Sequence, residues 1–102
     1  NKAKTSRHLN TKSFLEKIAS FYLLKPSDIT GSSRQSQIVK ARQMSMLILK
    51  DDYLMSYPQI ARVLGNRDHT TIMYGYKKLK VTVKKDDNLK LELQALKTAI
   101  NS

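Results

Sequence analysis

The 102-residue chain has no cysteine and no tryptophan, only three glycines and two prolines, and eight acidic residues against nineteen lysines and arginines. Each shortage excludes something. Without cysteine there is no disulfide framework, no thiolate metal site and no thiol nucleophile, a composition that fits a reducing compartment. With so little glycine and proline, and with 40% apolar residues, the chain suits a mostly helical soluble fold better than a disordered tail. The longest apolar stretch, Met44 to Leu49, is interrupted by Ser45 and falls far short of the roughly 20 residues needed to cross a bilayer. No G-x-x-x-x-G-K-[ST] sequence occurs, so no phosphate cradle for a nucleotide is expected. The chain opens on Asn1 with no charged start leading into an apolar segment; a cytoplasmic fragment of a longer protein is expected, not a secreted one.

What is abundant is positive charge, +11 at pH 7. Such an excess opposes compaction and favours a polyanionic partner. It also accompanies one region. Residues 34 to 85 hold eleven basic side chains against Asp51, Asp52 and Asp68, a local excess of eight.

Within that region Ser56 to Leu79 reads as two helices broken at Gly65 and Asn66. Ser56 can cap the first, with Pro58 in its opening turn and Ile60, Val63 and Leu64 facing inward. Ala61, four residues before Gly65, lets two crossing helices approach, and Gly65 can take the left-handed conformation that stops a helix. Asp68 then caps the second helix, with His69, Thr70 and Thr71 as its first residues and Ile72, Tyr76 and Leu79 on its inner face. This is the pattern of a helix-turn-helix, whose second helix enters the major groove of DNA. Asp68 can accept from a cytosine amino group or act as a cap only. His69 can donate to a base acceptor, and the methyls of Thr70 and Thr71 can meet thymine methyls. Lys77, Lys78 and Lys80 extend the charge toward phosphates. An Asp-His pair beside threonines also suggests a hydrolase, but adjacent residues on one helix do not converge as a triad does, and two histidines without cysteine make a poor metal site. No catalytic residue and no metal ligand is assigned.

Upstream, residues 1 to 12 are polar and basic and read as a linker or arm, leaving residues 13 to 102 as a single domain; His8 gets no role. Ser13 with Glu16 forms a capping-box pattern for a helix over 14–24, ended by Lys25-Pro26, with a short turn at Ser27 to Ile29. In the polar loop 30–37, Arg34 is either solvated or reaches a phosphate or the minor groove. Residues 38–50 are apolar around most of a helix and belong in the centre, except Arg42, which needs a partner: Asp68, or a DNA phosphate shared with Gln43. Asp51 and Asp52 are expected to be solvated. After Leu79 the pattern loosens, and Asp86-Asp87 starts a last helix to Ile100 with Leu89, Leu93, Leu96 and Ile100 inward and Lys90, Glu92 and Lys97 in water.

The segments IVKARQMSM and LGNRDHTTIMYGYKKL resemble the C-terminal DNA-binding domain (domain IV) of the bacterial chromosomal replication initiator DnaA. The resemblance implies a compact all-α domain of about five to six helices with a Trp-repressor-like helix-turn-helix, recognising short asymmetric boxes in double-stranded DNA at the replication origin. It assigns base contacts to Asp68, His69, Thr70 and Thr71, and a minor-groove contact to Arg34. Arg42, Gln43 and Pro58 would lie against the backbone or groove edges. Tyr74 stands where the family often has histidine, and Gly31-Ser32-Ser33 is less basic than the family's loop. ATP is expected only in a separate ATPase domain; the fragment is expected to be monomeric and the full-length protein to oligomerise on DNA. The competing readings are a helix-turn-helix transcription regulator with another operator, and a basic membrane-associated domain in contact with acidic phospholipid.

Overall fold

The structure, a computed structural model, describes residues 9–102, so most of the expected arm, including His8, lies outside the described residues. Six helices follow one another: α1 (Thr11–Phe21), α2 (Pro26–Thr30), α3 (Ser36–Asp51), α4 (Tyr57–Val63), α5 (His69–Lys85) and α6 (Asp87–Ile100). No strand occurs among the described residues.

The central helix is α3. Ile38, Ala41, Met44, Met46, Leu47, Ile48 and Leu49 are all buried, as an apolar circumference requires. Ser45 is buried with them without penalty, because its hydroxyl donates to the Ala41 carbonyl at 2.8 Å. Around α3 gather Phe14 and Ile18 of α1, Ile29 of α2, Ile60 of α4, Ile72 of α5 and Leu96 of α6. Each fully buried side chain of this size contributes about 1.5–3 kcal/mol. Helix α5 lies close against α3 because position 75 is glycine: a Cβ there would stand 2.7 Å from the Met46 sulfur.

Three boundaries differ from expectation. Helix α1 begins at Thr11, since Asn10, not Ser13, is the cap; the Ser13 N–H donates to Asn10 Oδ1 at 3.0 Å. It also ends earlier, at Phe21, because Leu23 takes a left-handed φ of 59° and the Leu24 N–H closes the end on the Ala19 carbonyl at 2.8 Å. Helix α5 does not loosen after Leu79 but continues to Lys85, where Asp86 stops it.

Several side chains expected in water are engaged instead. Glu92 accepts from the Tyr22 hydroxyl at 2.6 Å and from Lys40 at 3.2 Å. Asp52 accepts from Lys97 at 3.3 Å. Asp51 accepts from the Tyr76 hydroxyl at 2.6 Å and from Lys80 at 2.8 Å. These bonds tie α1, α5 and α6 to α3. Burial, reinforced by the Glu92 hydrogen bond, pushes the Tyr22 phenol far above its ordinary range.

Candidate nucleic-acid interface

The pair α4–α5 is built by local signals. Ser56 Oγ accepts from the Gln59 N–H at 3.2 Å while Gln59 Oε1 accepts from the Ser56 N–H at 2.9 Å, a reciprocal cap that fixes the start of α4. Pro58 follows in the first turn and is exposed. Ile60, Ala61 and Leu64 turn inward. The chain then reverses through Gly65 at φ 98° and Asn66 at φ 59°, and the Arg67 N–H returns to the Ala61 carbonyl at 3.0 Å. Gly65 is required twice over, by its φ and by a Cβ that would fall 2.2 Å from the Thr30 carbonyl oxygen.

Asp68 caps α5 through its Oδ1, which accepts from the Thr70 N–H at 3.1 Å. Asp68 and His69 side chains remain 68% and 63% exposed, with His69 Nδ1 4.0 Å from Asp68 Oδ1. Thr70 and Thr71 are exposed beside them, while Ile72 and Leu79 are buried and Tyr76 is held by Asp51. The expected split of α5 into an outer head and an inner stripe is therefore observed. Capping by Asp68 is a fact of the fold, and its second carboxylate oxygen stays available as an acceptor.

The cations divide into two groups. Arg34, Lys77 and Lys78 are exposed and make no hydrogen bond or ion pair with another described residue. Lys80, expected to extend the same charge, is instead pinned to Asp51 and 3.2 Å from the Tyr76 hydroxyl, and these bonds raise its pKa. Arg42 is engaged in another way. It is only 7% exposed and pairs neither with Asp68 nor outward; its Nε donates to the Ile29 carbonyl at 2.8 Å and one terminal nitrogen donates to the carbonyls of Asp28 and Gly31, both at 3.1 Å. The carbonyls that the end of α2 leaves without helical partners satisfy the guanidinium. Burial, and secondarily the facing Arg67, lower the pKa of Arg42.

Two residues were not singled out as site residues from the sequence. Arg67 donates to the carbonyls of Gly31 and Ile29, the latter at 3.3 Å. Its only local signal is that it is the sole cation inside the turn. Tyr74 is 68% exposed on α5, one turn beyond Thr70, a position that helical spacing alone marks as outward. A cleft of about 280 Å³ runs between α3 and α5, with Gln43, Met46, Thr71, Tyr74 and Lys78 among its walls. It brings Gln43 beside the outer face of α5.

Among the described residues no group of three or more His, Cys, Asp or Glu side chains could hold a metal ion, and no helix is long and apolar enough to cross a membrane. The profile of the family described as the bacterial dnaA protein helix-turn-helix matches residues 12–79. The chain is 35% identical over 83 residues to the chromosomal replication initiator protein DnaA of Streptococcus agalactiae, covering 81% of the chain and 18% of that protein. It is 33% identical over 85 residues to the protein of the same name from Thermus thermophilus, covering 83% of the chain and 20% of that protein. The chain thus spans about a fifth of the length of these relatives.

Proposed function

Because the chain belongs to the bacterial DnaA helix-turn-helix family, we propose that it binds double-stranded DNA sequence-specifically, at short boxes of the replication origin, as the DNA-reading part of a larger cytoplasmic initiator. The observation that carries this reading is the entrance of α5, where Asp68, His69, Thr70 and Thr71 stand exposed at the end of a capped helix. Compact donors, acceptors and methyls at a helix N-terminus suit base edges in the major groove. Arg34 reaches into the adjacent minor groove. Lys77 and Lys78 neutralise phosphates, with Gln43 and Pro58 at the groove edges, while Arg42 contributes from behind by holding the corner that leads to Arg34. The domain performs no catalysis and carries no cofactor; ATP belongs to another part of the full-length protein, which oligomerises on DNA.

The test is binding to DNA selected from random sequence. His69→Ala and Thr70→Ala are each expected to lose about 1–3 kcal/mol of discrimination between the selected box and its scramble. Lys78→Ala weakens both DNAs by a similar factor and lowers the salt slope by about one. A pair of head substitutions that reduced affinity yet left the preference intact would overturn the assignment of base reading to α5.

A further inference from the structure

Arg67 and Arg42 share the same two acceptors. Both guanidinium groups donate to the carbonyls of Ile29 and Gly31, and Arg42 alone already satisfies each of them at 2.8 and 3.1 Å. The bonds from Arg67 are therefore not needed to pair those carbonyls. They also come at a cost to the fold. Arg67 Nε is buried with no hydrogen-bond partner, and two like charges face each other across one pair of oxygens. A residue chosen for stability alone would be apolar here.

What Arg67 does join is two pieces of backbone. On one side its own N–H is bonded to Ala61 and its neighbour Asp68 caps α5. On the other, Gly31 lies three residues before Arg34. The Gly65 turn presses on Thr30 between them, too closely for any Cβ.

We propose that Arg67 is a positioning residue that fixes the register between the entrance of α5 and the loop carrying Arg34, so that major-groove and minor-groove contacts are presented as one rigid gauge. This rests on the DNA-reading function proposed above. Both bonds leave one terminal nitrogen of Arg67, whose donors are fixed in the guanidinium plane; the ammonium of lysine is a freely rotating point charge and holds no such plane. Arg67 acts through the geometry of Arg34 and needs no DNA contact of its own.

The experiment is a double-mutant cycle on the whole chain, with Arg34→Ala, Arg67→Met and Arg67→Lys, read by affinity for the selected box, by the salt slope and by melting temperature. Arg67→Met is expected to leave the melting temperature unchanged or raised and to lower box affinity about tenfold, the factor by which a loosened contact of this kind changes binding. Arg34→Ala in that background should then cost less than half the factor that it costs in the unaltered chain. Arg67→Lys, which keeps the charge, should behave as Arg67→Met does. Equal costs of Arg34→Ala in both backgrounds overturn the coupling. A lowered melting temperature with box and scrambled DNA weakened alike makes Arg67 merely structural, and full rescue by lysine, or a salt slope reduced by about one, makes it a phosphate contact. If Arg34→Ala is harmless in the unaltered chain, the minor-groove reading fails and the register with it, while His69→Ala still tests the major-groove half separately.

Discussion

In the seams between α3 and its neighbours every carboxylate has work: Glu92 holds Tyr22 and Lys40, Asp52 holds Lys97, and Asp51 holds Tyr76 and Lys80. At the entrance and outer face of α5, and in the loop before α3, the situation is reversed, with Arg34, Lys77 and Lys78 exposed and without a partner among the described residues. The two regions show how a small chain carrying +11 can fold at all. Three of its eight acids, Asp51, Asp52 and Glu92, bridge helices at these seams and offset repulsion there, while Arg34, Lys77 and Lys78 leave a surplus of positive charge exposed, which favours a polyanionic partner.

The strongest way to break this contrast is to reverse the unpartnered charges. Lys77→Glu combined with Lys78→Glu is expected to weaken DNA binding by roughly a hundredfold or more at 0.15 M salt, through lost counterion release and added phosphate repulsion. The melting temperature should not fall. Thermal unfolding beside a binding titration measures both, and a destabilised double variant would show that these lysines belong to the fold after all. Lys80→Ala serves as the contrasting control, since its partner is Asp51.

A seam broken from the acidic side should behave in the opposite manner. Glu92→Ala leaves the Tyr22 hydroxyl and Lys40 without their acceptor and is expected to cost about 1–2 kcal/mol of stability, a fall of several degrees in a domain of this size. Box preference, measured on the folded variant, should be unchanged. If preference changed with the unfolding midpoint unmoved, the separation of seam from surface would be wrong.

The smallest effect sharpens the contrast through pH. The Tyr22 phenol is held protonated in the fold, so its contribution is present in full below the unfolded value of about 10 and is lost as pH rises from there toward the folded value. The loss amounts to at most about 1.4 kcal/mol per pH unit for one group. Tyr22→Phe is expected to be slightly less stable at neutral pH and to flatten the alkaline decline. Urea midpoints compared across the alkaline range decide it, and equal slopes for both proteins would assign the decline elsewhere.

What the sequence made legible follows the range of the interactions. Caps within four residues of their targets, such as Ser56 with Gln59 and Asp68 with Thr70, were readable, as were the inner stripes of α3, α5 and α6. Even locally, competition between caps decided against Ser13, because Asn10 offered the turn an acceptor three residues earlier. Pairings across tens of residues were not readable. Nothing near Glu92 in the chain marks Tyr22, seventy residues away, as its partner, and the helical pattern placed Glu92 in water. Arg42 illustrates the same limit: its position on a buried face announced that a partner must exist, but main-chain carbonyls leave no trace in side-chain identity. The exposed head of α5 was legible for the converse reason, since its chemistry requires no internal partner.

The joint between α5 and α6 is a single residue. Asp86 closes α5 by donating its N–H to Thr82 at 3.1 Å and opens α6 by accepting from Leu89 at the same distance. Such an elbow has no slack. One extra residue there would rotate the terminal helix by about 100° and swing Leu93, Leu96 and Ile100 away from their sockets.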